Sequence, residues 1–117
     1  MTGPTRSNSN NLIRGHLDLI LLSILRRGPK YGVQICDEAD RRTRGYFDLR
    51  GGSVYPALQR LEQAGFIQGQ LTRPLTQGKT VKTKVYTLTS KGHLELDARR
   101  RAFLVFSKHL ASLWDPG

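Results

Sequence analysis

The chain has 117 residues, 38% of them hydrophobic and 24% charged, the balance of one globular domain rather than of a disordered polymer. Its formal net charge of +10 favours polyanions such as nucleic acid or an anionic membrane surface. Cys36 is the single cysteine, which excludes an intrachain disulfide and predicts a reducing compartment, the cytoplasm.

Residues 1–11 are rich in Ser, Asn, Thr, Gly and Pro, carry no apolar run of a secretory signal, and predict a disordered tail. The alternative is an arm that touches a polyanion through Arg6. A first helix is expected from Leu12 or His16 to Arg27, ended by Gly28-Pro29. Leu17, Leu19, Ile20, Leu21, Leu22, Ile24 and Leu25 cover nearly every side of it, so it must be buried all round. It is also too short to cross a bilayer.

A second helix is expected over 31–43, with Tyr31, Ile35 and Ala39 recurring at steps of four and Cys36 beside them. The third helix is bounded by a flexible Gly51-Gly52 turn, Ser53 as N-cap and Gly65 as C-cap, with Pro56 in its first turn. Val54, Ala57, Leu58, Leu61 and Ala64 form its inward stripe, leaving Tyr55, Gln59, Arg60 and Gln63 outside. Residues 66–72 and 83–88 predict a hairpin around a loop holding Pro74, Gly78 and Lys79. Thr89 then caps a last helix reaching about Trp114, with Leu94, Ala98, Ala102 and Val105 starting one stripe.

Three helices, a hairpin and a long helix make a mainly α fold with a small β wing, a winged helix-turn-helix. In that arrangement one helix props a second, which enters the major groove of duplex DNA. The charge layout agrees: 45–65 is neutral, whereas 26–44 and 66–88 are both basic. A base-reading element between two phosphate-gripping ones has that pattern. Ordinary bundle helices are the competing reading.

The stretches Leu17 to Leu25, Gly28-Pro29-Lys30-Tyr31-Gly32-Val33-Gln34-Ile35, Gly52-Ser53-Val54-Tyr55-Pro56-Ala57-Leu58, Leu61-Glu62, Gly65-Phe66-Ile67 and 86–92 together resemble the PadR family of transcriptional regulators. The likeness runs in unbroken order over about residues 12–92. Val33 departs from it, standing where the family often has an aromatic residue, and the wing is somewhat long. The resemblance implies a dimeric winged helix, usually a repressor released from its operator by an effector. A single helix after the wing is similar to the short subgroup, whose last helix builds the dimer. That implies a DNA-binding domain over 12–88 and a dimerisation helix over 89–117.

The resemblance places Tyr31, Ser53, Tyr55 and Pro56 on the DNA-facing surface and makes Lys79, Lys82 and Lys84 the basic wing. Gln59 is a candidate adenine reader, with Arg50 and Arg60 as the segment's basic contacts. Tyr55 as a packing residue and the lysines as an ordinary solvated loop are the alternatives. The dimer surface is expected at Leu19, Leu22, Phe103, Phe106, Leu110, Leu113 and Trp114. Phe106 and Trp114 also form the candidate site for a flat aromatic or apolar effector.

No cofactor or metal is expected, and catalysis fails on geometry. His93 and His109 lie about 24 Å apart on one helix, and His16 and Cys36 have no ligand spacing. Two other readings remain open: a winged helix that binds protein, and a small-molecule sensor or carrier with an apolar dimer pocket.

Overall fold

A computed structural model describes residues 5–72, 75–76, 79–80 and 83–116. Its centre is α2 (Leu17–Leu25), whose Leu21, Leu22 and Leu25 are fully buried while Leu17, Ile20 and Ile24 are nearly so. The all-round apolar pattern is satisfied by packing against every neighbouring layer. Ahead of it lies α1 (Thr5–Gly15), so the tail expected over 1–11 is helical from Thr5 onward. Serine and asparagine are weak helix formers, which hid this element. Its last turn is anchored by Ile13 against the core, and propagating back from an anchored turn is far easier than nucleating. Gly15 and His16 break the single first helix expected into two.

After Gly28, with φ +137, β1 (Lys30–Tyr31) leads into α3 (Gly32–Arg42). Ile35 and Ala39 are buried as their spacing predicts, whereas Tyr31 belongs to β1, a strand too short to show a period. Gln34 Oε1 accepts the Tyr31 N–H at 2.8 Å and so closes the first turn of α3. The following loop is tied by Thr43, whose hydroxyl donates to the Ala39 carbonyl at 2.6 Å and accepts the Phe47 N–H at 2.9 Å.

The next helix, α4 (Gly51–Gln63), buries Val54, Ala57, Leu58 and Leu61 against α2. It starts earlier than expected: Arg50 is the N-cap, and its carbonyl accepts from Ser53 and Val54 N–H at 3.0 and 2.9 Å. Ser53 therefore lies inside the first turn, and Pro56 lies beyond it, inside the helix. The proline leaves the Gly52 carbonyl without its i+4 donor. Ala64 is the exposed C-cap rather than part of the inward stripe, and Gly65 at φ +83 ends the helix.

The wing is β2 (Ile67–Thr72) antiparallel to β5 (Thr83–Leu88), from Ile67 opposite Leu88 to Thr72 opposite Thr83. Two short strands, β3 (Leu75–Thr76) and β4 (Lys79–Thr80), pair beyond it. Strand β1 adds to the other edge of β5, giving the order β1-β5-β2. Ile67, Tyr86 and Leu88 reach the core from this sheet.

The last helix, α5 (Ser90–Ser112), is capped by Thr89, whose hydroxyl accepts the Gly92 N–H at 3.0 Å. Gly92 and Leu96 are its buried residues; Leu94 is 73% exposed, so the stripe predicted from Leu94 faces away from the body. The helix stands out from the rest: the Cα radius of gyration is 16.8 Å, against about 13 Å for a compact domain of this length. A Cβ at Gly92 would overlap the Phe66 carbonyl oxygen and stand 2.8 Å from Leu88 Cδ1. Gly92→Ala is expected to destabilise the fold by about 2 kcal/mol, despite a gain in helix propensity, in a urea unfolding series.

Candidate nucleic-acid interface

Gly52, Pro56, Gln59 and Gln63 recur at helical spacing along α4, and every one is exposed. They line the side opposite the buried stripe, and no element of the chain's described residues covers them. Tyr55 flanks this strip at 49% exposure. Its seat is made by two glycines. A Cβ at Gly32 would come within 2.6 Å of the Tyr55 ring and hydroxyl, and one at Gly51 within 3.4 Å of the ring. The first turn of α3 thus receives the aromatic ring of α4, a packing that needs glycine at 32.

The wing is fastened to the same helix. Glu62 accepts from Lys84 Nζ at 3.1 Å and from the Gly69 N–H at 3.2 Å. Its hydrogen bond, and then its charge, raise the Lys84 pKa, so that lysine is a firm cation at neutral pH. Lys79 is described as the backbone of β4, and Lys82 lies outside the described residues. Tyr31 is half-buried, with its hydroxyl accepting from Thr72 Oγ1 at 3.4 Å, and so braces the wing rather than pointing freely outward. Arg50 is exposed at the start of α4 and pairs with Asp48 at 2.8 Å.

Arg60, with 61% of its side chain exposed, donates from its guanidinium to Asp18 Oδ1 of α2 at 2.8 Å. Four of the six basic residues of 26–44 gather around one buried acid, yet the side chains of Arg27, Arg41 and Arg42 stay 50–68% exposed, and Lys30, at 15%, is the covered one. Arg27, Lys30, Arg41 and Arg42 all stand 3.5–4.0 Å from the carboxylate of Glu38, which is 9% exposed. A buried carboxylate needs compensating charge, and these cations supply it, though Glu38 Oε2 has no direct hydrogen bond. Leu71, which sequence reasoning passed over, is 62% exposed, as is Val33, the departure from the family pattern. With Tyr31, Tyr55 and Lys84 they line a shallow groove between α3, α4 and the wing. Isolated exposed apolar residues leave no periodic trace.

On α5 and in the turn that ends it, Phe106, Leu113 and Trp114 are 61%, 77% and 72% exposed, and Leu110 is half-buried. Phe103 packs edge-on against His16, ring centroids 5.2 Å apart, and Leu19 is partly buried on the core. Leu22 is removed from the expected dimer surface, because it is wholly buried inside its own chain. Phe106 borders a cleft with Leu19 and Phe103, whereas Trp114 stands about two turns further along.

Burial, with Asp37 adding to it, pushes the Cys36 thiol up, so it is neutral at physiological pH. No cluster of three or more His, Cys, Asp or Glu that could hold a metal occurs among the described residues. Nor is any helix among them long and apolar enough to cross a membrane.

Residues 21–98 match the Transcriptional regulator PadR-like family. An uncharacterized protein of Lysinibacillus sphaericus is 34% identical over 83 residues, 71% of this chain and 73% of its own. The Negative transcriptional regulator PadR of Bacillus subtilis is 31% identical over 80 residues, 68% of this chain, but the match spans 42% of that longer protein. Among solved structures, a PadR family transcription regulator from Clostridium difficile has 26% identity and a TM-score of 0.70 over 86% of this chain and 99% of its own. The PadR family transcriptional regulator of Eggerthella lenta has a TM-score of 0.80 at 23% identity, over 97% and 94% of the two chains, a likeness of fold. With the winged helix-turn-helix of a DNA-binding protein and a family match across most of its length, this chain belongs to the PadR-like transcriptional regulators.

Proposed function

We propose that the chain is a homodimeric, cytoplasmic repressor that reads an inverted-repeat operator in duplex DNA. The observation that carries this reading is the open strip of α4, Gly52, Pro56, Gln59 and Gln63, flanked by Tyr55. One helix fits the major groove, about 12 Å wide, when its outward side is unobstructed. Gln59 can pair with adenine there, Tyr55 can donate to a phosphate or touch a thymine methyl, and Ser53 and Arg50 approach the backbone. The wing lysines, Lys79, Lys82 and Lys84, would hold phosphates beside it. Repression is suggested by the Bacillus subtilis relative, a negative transcriptional regulator.

Dimerisation follows from the apolar surface of α5. Phe106, Leu113 and Trp114 in water cost roughly 25 cal/mol for every Å² of apolar surface that a partner could cover. Two-fold pairing of α5 would repeat the reading helix at the spacing of an inverted repeat. An apolar or aromatic effector is assigned to Phe106 and Trp114 at that junction.

Selection from a random duplex pool should return a two-fold symmetric site. A dimer gripping on the order of eight phosphates should then show a log K against log salt slope of about −7; a slope near −1 would refute the phosphate grip. Gly32→Ala should leave the melting temperature within a few degrees of wild type, since the ring tip it meets can swing away. It should nevertheless weaken specific binding by about tenfold, and Tyr55→Ala at least as much; equal loss of stability would make Tyr55 a packing residue. Sedimentation should give a dimer at micromolar concentration, and a Phe106→Glu, Trp114→Glu double variant should give a monomer. Replacing Lys79, Lys82 and Lys84 together by alanine should abolish binding; an intact main interaction would favour a protein-binding module.

A further inference from the structure

Asp18 stands in the first turn of α2, the helix with the least freedom to move, and its two carboxylate oxygens face different helices. Oδ1 accepts from Arg60 of α4 at 2.8 Å, and Oδ2 lies 3.7 Å from Arg99 of α5. Arg99 is itself held by Glu95, Nε to Oε2 at 2.6 Å, and lies over the Phe66 ring, 5.9 Å from its centroid, where the wing begins. The carboxylate therefore ties the reading helix and the protruding helix to one fixed point. Arg60 is five positions after Tyr55, about 140° round the helix from it, on a flank directed at α2 rather than along the open strip.

We propose that Arg60, Asp18 and Arg99 form a positioning brace that sets the tilt of α4 relative to α5, so that DNA affinity depends on where α5 lies. The inference rests on the DNA-binding reading above and deepens it. Asp18 has a side-chain exposure of 25%, so its ion pairs are screened less than fully exposed ones. The arginines take separate oxygens of one acid, and a displacement of α5 that carries Arg99 away leaves Arg60 facing a carboxylate with one cation fewer. Pairing with a second copy, or a ligand in the cleft at Phe106, which Asp18, Arg60 and Arg99 also line, would be felt at α4 through this carboxylate. Arg60 thus acts on DNA through Asp18 and touches none itself.

The test uses fluorescence anisotropy on the selected duplex across a salt series, with full-length wild type, Asp18→Asn, Arg60→Met and the double variant. The brace predicts that each single change weakens binding by about tenfold and that the double change is no worse than either one. The salt slope should stay unchanged throughout. Direct phosphate contact by Arg60 predicts the opposite pattern. Asp18→Asn would then free the arginine and hold or tighten binding, while Arg60→Met would make the slope shallower by about one unit per chain. Either of those results overturns the brace. If Asp18→Asn melts within the assay range, Arg60→Met decides alone: lost affinity at constant slope supports the brace, and unchanged affinity or a shallower slope overturns it. Failure of the wild type to bind any duplex would remove the DNA reading and the brace together, whereas wild-type binding with undiminished variants removes the brace alone.

Discussion

The architecture turns on one junction, where Gly65 and Phe66 meet Thr89. The Thr89 N–H donates to the Phe66 carbonyl at 3.1 Å, and its hydroxyl reaches the carbonyls of Gly65 and Phe66 at 2.7 and 3.1 Å. Lys91 adds its ammonium to the Ala64 carbonyl at 2.7 Å. The end of α4, the first residue before the wing and the start of α5 are thereby closed on one another, and carbonyls that a helix end leaves unpaired are satisfied. Because α5 starts from that knot with bare Gly92 against the Phe66 backbone, its direction is set before it has any length. The wing leaves from the same point and lies beside α4. The helix α4, the wing and the projecting α5 are three arms of one joint.

Charge is distributed differently from its count along the chain. A surplus of ten positive charges suggests a broadly cationic surface, and many of its cations are paired with acids while staying in water. Four cations surround Glu38, two share Asp18, and Glu62 and Asp48 each hold one more. Exposed pairs of this kind contribute little to stability, a few tenths of a kcal/mol to about 1 kcal/mol each. Their effect is to orient side chains and to link elements far apart in sequence.

Much of the fold was legible because it is carried by strong periods. The uninterrupted apolar run of 17–25, the Val54, Leu58 and Leu61 stripe and the alternation in 83–88 each led to the element observed. What escaped lacks such a signal. Strand β1 spans two residues, and α1 is written in serine and asparagine. The start of α4 at Gly51 defies the ordinary meaning of a Gly-Gly pair. The surroundings of the candidate residues were legible where they are local. The outward placement of Tyr55 and Gln59 follows from position on a helix, whereas the ion pair of Arg60 depends on Asp18, forty-two positions earlier in the chain. Leu22 illustrates the converse: an all-round apolar helix does not reveal which of its sides a partner copy could reach.

The Gly32 and Tyr55 contact has a consequence for how such a domain can be retargeted. Gln59 and Gln63 make no side-chain hydrogen bond among the described residues and sit on an open face, so those positions can vary without disturbing the body. Tyr55 is different, because its place is cut into a neighbouring helix. Grafting the surface of another regulator's groove helix onto this scaffold would therefore import a residue at 55 without the recess it requires. The outward face of α4 is free at its far end and keyed to α3 at its near end, and a successful transplant would have to carry the first turn of α3 along with it.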